Sequence, residues 1–333
     1  MKDRVADVEA VRTTQNHCGD QLRLRVRVPA TSANLGPGFD CMGLALALFN
    51  EMEVETGHPF SVEIDGEAAN QLPVSRDNAI VRAMDFLFAK VGAGRVPREW
   101  RLRAYNQIPI ASGLGSSASA IVGGLLLANE LVACFEPDLV LDDAGLLALA
   151  SELEGHPDNV APALFGGGCL CAGAGQGPAY LPLPIPEQLV FAVGVPNFPL
   201  PTEKARKALP NQVQMADAVY NVTQASRLML ALSSGQLDLL RVGFGDRLHE
   251  PYRRRLIPGF DDVRRAALRQ GAKALTLSGA GPSLLAWCDD EQTALRVADE
   301  ITLAWREYNV ECVSMVLRPW LDKPQVERLA PRR

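Results

Sequence analysis

The strongest constraint in this sequence is the run Pro109-Ile-Ala-Ser-Gly-Leu-Gly-Ser-Ser-Ala-Ser119, taken together with the apolar residues downstream of it. Ala118, Ile121, Val122, Leu125, Ala128 and Val132 recur at helical spacing and make one apolar stripe. Residues 100–108 upstream read as a strand, so the Gly/Ser run joins a strand to a helix. A helix start leaves its first-turn amides without intrahelical partners, and the helix dipole favours an anion beside them. Gly113 and Gly115 remove side chains where a ligand must approach the backbone. Ser116 or Ser117 can cap the helix, and a hydroxyl there can also touch a magnesium ion. The loop has no lysine, so it is not the Gly-Lys-Ser/Thr phosphate loop, and Gly-x-Gly-x-x-Gly is not matched either. Triphosphate charge bound here has to be balanced by amides and a metal.

The chain has 333 residues, 47% hydrophobic and 22% charged, enough for about two domains with a real core. Its seven cysteines are odd in number and form no Cys-x-x-Cys pair; Cys169 and Cys171 are the only close two. Thiols in a reducing compartment are the expectation. The first twenty residues are polar and mixed in charge, and read as a flexible extension. No run of eighteen apolar residues is present, so no membrane partner is expected. The net charge is -6, and Arg253, Arg254 and Arg255 are one short basic cluster, too little for nucleic acid. A cytoplasmic protein acting on a small molecule is expected.

Periodicity predicts strands at 22–28, 43–49, 51–55 and 100–108, and helices at 76–91 and 141–153. The second helix stops at Gly155 and the extended His156-Pro157 step. Three prolines within Leu181-Pro-Leu-Pro-Ile-Pro186 predict a stiff boundary. Beyond it come a strand at 189–195, a helix capped by Thr202, and helices at 212–232, 237–247 and 261–270. Strands at 274–277 and 284–288 flank Ser278-Gly-Ala-Gly-Pro-Ser283, and a helix at 291–306 precedes a strand at 310–317. The expected division is an extension at 1–20, a nucleotide-binding domain at 21–185, a second domain at 186–320 and a tail at 321–333.

A second chemical cluster is Glu152-x-Glu154-Gly-His156-Pro-Asp158-Asn159. A magnesium nucleotide needs one or two carboxylates besides its phosphates and waters. Glu152 and Glu154 point to different sides of a helix, so only one serves. Asp158 can orient or deprotonate a hydroxyl, and Asn159 can hydrogen-bond it.

Three glycine-containing loops at 29–40, 109–119 and 278–283, in this order, resemble the three motifs of the GHMP kinases. Within that superfamily the chain most resembles the homoserine kinase family. The supporting segments are Thr31-Ser-Ala-Asn-Leu-Gly-Pro-Gly-Phe-Asp40, Glu154-Gly-His-Pro-Asp-Asn-Val-Ala-Pro162, Thr202-Glu-Lys-Ala-Arg206 and His249-Glu-Pro-Tyr-Arg253. The resemblance implies an α+β fold in two packed domains, the first ribosomal-protein-like and the second ferredoxin-like. It implies ATP on Pro109, Ile110, Ala111, Ser112, Gly113, Leu114, Gly115, Ser116, Ser117, Ala118 and Ser119, and Mg2+ on Glu152 with Ser117. Glu154 stays as the alternative metal ligand. It further implies an amino acid, L-homoserine, among Asn34, Asp40, His156, Asn159, Thr202, Arg206 and Arg253, and a homodimer. Residue chemistry agrees: Arg206 and Arg253 suit a carboxylate, while Asp40 and Asn34 suit an ammonium. The implied reaction is phosphorylation of the homoserine hydroxyl. Asp158 acts in it as base, or Asn159 merely orients the hydroxyl. Two rivals stay open here: a diphosphate decarboxylase of the same superfamily and a catalytically silent binding module.

Overall fold

Residues 21–172 and 179–330 are described by the structure, a computed structural model; the expected extension at 1–20 lies outside them. β1 (Arg23–Ala33) and β2 (Met42–Thr56) form the long antiparallel pair on which the first domain is built, with one bulge between Pro29 and Ala30. Proline has no N–H to give the ladder, which fits the break at Pro29. β2 runs unbroken where two short strands were expected. The polar residue between them, Asn50, is buried and accepts hydrogen bonds from the Gln107 and Ile108 amides at 2.9 and 3.0 Å. It needs no turn, because its side chain is satisfied inside the sheet.

β3 (Ser61–Gly66), α1 (Ala79–Val91), β4 (Trp100–Asn106), α2 (Ser116–Phe135) and α3 (Asp143–Glu154) come next along the chain. α1 begins three residues later than its periodicity predicts, because the Asn78 side chain caps it by accepting from the Ile80 amide. α4 (Pro157–Phe165) was not foreseen. His156 is extended, and Pro157 takes the first helical position, where its missing N–H costs nothing. The step that ends one helix therefore starts the next. β5 (Gly168–Ala172) and β6 (Ala179–Leu183) complete this part of the chain.

The second half holds β7 (Val190–Pro196), α5 (Thr202–Lys207), α6 (Met215–Ser234), α7 (Glu250–Arg253), α8 (Phe260–Arg269), β8 (Ala274–Leu277), β9 (Leu284–Cys288), α9 (Glu291–Arg306), β10 (Cys312–Leu317) and β11 (Val326–Leu329). Only one 3-10 turn, Leu237–Leu240, stands where a helix was expected at 237–247. Gly243 and Gly245 explain the shortfall through their poor helix propensity. Thr202 is the first residue of α5 and makes no capping bond; Pro201 holds the cap position.

Seven strands form the first sheet, in the order β11-β1-β2-β4-β3, with β5 on the other half of β2 and β6 beyond it. β11 pairs antiparallel with β1, from Val326 opposite Val26 to Leu329 opposite Arg23. The expected tail is thus the edge of the first domain's sheet. Leu24, Val26, Val28, Met52 and Val54 pack under α1 and α2. α2 is long and apolar enough to cross a membrane by composition, but 67% of its most apolar window is buried in this core. A helix apolar all round is a helix packed all round.

The second sheet is antiparallel, in the order β10-β7-β9-β8. Its central strands alternate between two cores. Val190, Ala192, Leu284 and Ala286 face α8 and α9, while Phe191, Val193, Leu285 and Trp287 face the first domain. Leu35, from the β1–β2 loop, and Leu114, from the Gly/Ser loop, are fully buried in that shared core. Each loop is plugged between the domains by one leucine and turns its polar backbone outward.

Candidate active site

Three loops are knitted together by short polar contacts. The Ser278 hydroxyl lies 2.9 Å from the Ser32 hydroxyl and 2.8 Å from the Gly113 carbonyl. The Gly279 amide donates to the Ala33 carbonyl, and the Ser283 amide to that of Ser112. Asn34 joins two of them, donating from Nδ2 to the Gly279 carbonyl at 2.8 Å and accepting the Asp40 amide at 3.0 Å. Asn34, Asp40 and Ala111 all have positive φ without being glycine. Such strained positions survive only where surrounding bonds over-determine them, and they gather at ligand sites.

These loops make the floor of one cleft. Of the eleven residues assigned to ATP phosphates, Pro109, Ala111, Ser112, Gly113, Gly115, Ser116 and Ser117 line it. Leu114, Ala118 and Ser119 are buried behind the loop, and Ile110 lines an adjoining cavity. α2 is capped by Gly115 with no side-chain acceptor, neither Ser116 nor Ser117. Its first-turn amides are therefore left for a ligand.

All seven residues assigned to the amino acid line the same cleft: Asn34, Asp40, His156, Asn159, Thr202, Arg206 and Arg253. The distribution of charge differs from the expectation, because Arg206 forms a two-pronged ion pair with Asp40, at 2.9 Å on both arms. Arg253 is buried, makes no ion pair among the described residues, and leaves its Nε unpartnered. Burial pushes its guanidinium down from the ordinary value, and nearby Arg206 adds to this. Asp158 is buried at the start of α4, with Oδ1 2.5 Å from His156 Nδ1. That hydrogen bond raises the imidazole above its ordinary value. Asn159 accepts from the Thr31 hydroxyl at 2.9 Å, which keeps its amide nitrogen for the cleft.

The structure separates the two carboxylates offered for the metal. Glu152 is exposed on the outer face of α3 and paired with Lys90 at 2.9 Å, outside the cleft. Glu154 lines the cleft and accepts a hydrogen bond from the Ser117 hydroxyl at 2.9 Å. Burial raises its carboxyl above the ordinary value, which Ser117 partly offsets. The signal was present in the sequence: Leu147, Ala150 and Glu154 fall at i, i+3 and i+7, so Glu154 continues the buried stripe of α3. Sequence reasoning also passed over Thr31, Ser32 and Asp246. Thr31 and Ser32 hold other loops, of which spacing along the chain carries no trace, while Asp246 holds its own turn by accepting the His249 and Glu250 amides.

A lysine-free anion site beside a carboxylate and two guanidinium groups defines the chemistry of a small-molecule phosphotransferase. Sequence profiles agree: the GHMP kinases N terminal domain matches residues 78–167, and the GHMP kinases C terminal domain matches residues 226–307. The homoserine kinase of Moorella thermoacetica is 42% identical over 88% of this chain and 96% of its own length. That of Trichormus variabilis is 40% identical over 86% and 93%. The crystal structure of homoserine kinase from Cytophaga hutchinsonii superposes with a TM-score of 0.79 at 28% identity, covering 93% of this chain and 98% of that one. The chain belongs to the homoserine kinase family of the GHMP kinases.

Proposed function

We propose that the chain transfers the γ-phosphoryl group of ATP to the side-chain hydroxyl of L-homoserine, giving O-phospho-L-homoserine and ADP in threonine biosynthesis. The observation that carries this reading is a single cleft holding both an amide-rich helix start and the Asp40, Arg206 and Arg253 charges. The phosphates lie against the open amides of the α2 start. Behind the loop, an apolar cavity of about 300 Å3, lined by Ile64, Leu72, Ile80, Ala104 and Ile110, suits the adenine base. The homoserine carboxylate takes Arg253 and Arg206, and its ammonium takes Asp40, so the bound zwitterion replaces the Asp40–Arg206 pair. The hydroxyl then meets Asp158 and Asn159, where Asp158 stands to accept its proton.

Glu154 and Ser117 are a carboxylate and a hydroxyl side by side, the hard oxygen donors that Mg2+ takes together with phosphate oxygens and water. When bound there, the ion supplies neutralisation of the phosphate charge that the lysine-free loop lacks. The rest of catalysis is positioning and electrostatics from fixed groups.

The test is ADP release with magnesium across homoserine, threonine, mevalonate and galactose, with the phosphorylated product identified. Homoserine should be the preferred acceptor, and release of carbon dioxide would overturn the kinase reading. In the same assay Arg206→Ala should raise the KM for homoserine ten- to hundredfold, roughly 1.4–2.8 kcal/mol, with the KM for ATP unmoved. Arg206→Lys should restore only part of this, because an ammonium cannot reproduce the planar fork. An unchanged KM for homoserine would return Arg206 to an ordinary surface ion pair.

The assembly we propose is a cytoplasmic homodimer. Cys169 and Cys171 are free thiols in contact at 3.5 Å. On α6, Met215, Val219, Val222 and Leu230 form an exposed apolar stripe that a two-fold axis can pack against its own copy. Val222→Glu should then convert dimer to monomer in sedimentation; a wild-type chain that sediments as monomer overturns the assembly.

A further inference from the structure

We propose that His249 is a positioning residue for substrate binding: its neutral imidazole, protonated on Nε2, aims the Arg253 guanidinium into the cleft. The inference rests on the reading of Arg253 as a carboxylate ligand. Chemistry alone decides the tautomer. His249 Nε2 lies 2.8 Å from the Gly36 carbonyl oxygen, which can only accept, so Nε2 carries the hydrogen. Nδ1 lies 3.2 Å from Arg253 Nη1, which can only donate, so Nδ1 presents its lone pair. Both nitrogens are used, and the ring is neutral. It is fully buried, and burial holds its value below the ordinary one, which keeps it neutral at physiological pH.

Both the ring and the turn that carries it are held in place. It stacks on Phe39 at 5.1 Å between centroids and 22° between planes. Asp246 Oδ2 accepts the backbone amides of both His249 and Glu250 at 2.7 Å, which anchors the turn entering α7. Asn221 ties Asp246 to the Pro37 carbonyl, at 2.9 and 3.2 Å. The guanidinium is held in turn by His249, by the Gly279 carbonyl at 3.3 Å and by the face of Phe39 at 5.2 Å. Among the described residues no carboxylate clamps it. Asp40, Asp246 and Asp158 act on it only at longer range, so the guanidinium keeps its donors open for an incoming anion. A protonated His249 would lose its acceptor and set a second cation against Arg253.

The test is a double-substitution cycle on the full chain, read as separate KM and kcat values. Arg253→Ala should raise the KM for homoserine by about tenfold or more. His249→Ala should raise it about tenfold with kcat and the KM for ATP within about twofold, and should add less than about twofold on the Arg253→Ala background. His249→Gln keeps one donor and one acceptor and should recover most of the lost binding. An equal rise from His249→Ala in both backgrounds would show that the histidine does not act through Arg253, and a His249→Gln chain as poor as His249→Ala would refute the donor-acceptor argument. If Arg253→Ala leaves the KM for homoserine unchanged, the carboxylate role of Arg253 itself falls.

Discussion

Gly113→Ala is expected to lower magnesium-nucleotide affinity by roughly a hundredfold, about 2.7 kcal/mol, while leaving most of the helices in place. Two costs add up at this position. φ is +89°, which an alanine adopts only under strain of about 1–3 kcal/mol. A Cβ there would also lie 2.2 Å from the Ser278 carbonyl oxygen, which is backbone and cannot swing away. Gly115 is similar, with φ +72° and its Cβ 1.9 Å from the Thr31 hydroxyl. The glycines therefore do more than admit a ligand: they let one loop lie flat on another, and the ligand surface is the outer side of that stack. Gly92→Ala is the control, since its φ is +71° but nothing lies within 4 Å. It carries the strain alone and should leave affinity unchanged. Calorimetric titration with a non-hydrolysable magnesium nucleotide decides; equal affinity in Gly113→Ala and the parent would remove the loop from the nucleotide site.

Glu154→Gln is expected to cut turnover by roughly 10² or more, about 2.7 kcal/mol of transition-state stabilisation. The loop offers no lysine, so the phosphate charge needs a metal, and the metal needs a carboxylate within reach of it. Glu154 meets that requirement beside Ser117, and Glu152 does not. The amide isostere can still accept from Ser117, so the fold should keep its melting temperature and homoserine binding should change little. Glu152→Gln loses an exposed pair with Lys90, worth about 0–1 kcal/mol, and should keep full turnover. A dead Glu152→Gln beside a fully active Glu154→Gln would reverse the assignment. Full activity in both would take the metal away from this helix end.

Much of this molecule can be read from the chain because its elements obey local rules. β8, β9 and α9 lie at the residues where apolar period placed them, since each buries a whole face or stripe. The loop residues of the cleft were legible too, because Gly113 and Gly115 mark a strand-to-helix segment, whereas Thr202, Arg206 and Arg253 on α5 and α7 were reached only through the family resemblance. What the chain hides is pairing across distance. Asp40 and Arg206 are separated by 166 residues, and no pattern along the sequence says that they neutralise each other. Asn50 reads as a break between strands until its partners at 107 and 108 are seen. His249 reads only as part of the His249-Glu-Pro-Tyr-Arg253 segment, and its tautomer comes from the Gly36 carbonyl, 213 residues away, and from Arg253. Choosing between Glu152 and Glu154 needed only a longer helical stripe.

The pairing of β11 with β1 has a consequence for how the protein is made. The strand that completes the first sheet is separated from its partner by nearly the whole chain, with Val326 meeting Val26. During synthesis β1 can pair with β2 as soon as both have left the ribosome, yet its other edge stays open through translation of the entire second domain. An open strand edge is a template for the wrong partner. Arg23, Arg25 and Arg27 lie along β1, and charged side chains at an edge discourage pairing with a neighbouring nascent chain, even with Glu53 and Glu51 of β2 offsetting part of that charge. When β11 arrives it brings Glu327 to Arg25 at 2.7 Å. The domain translated first is thus the last to be finished.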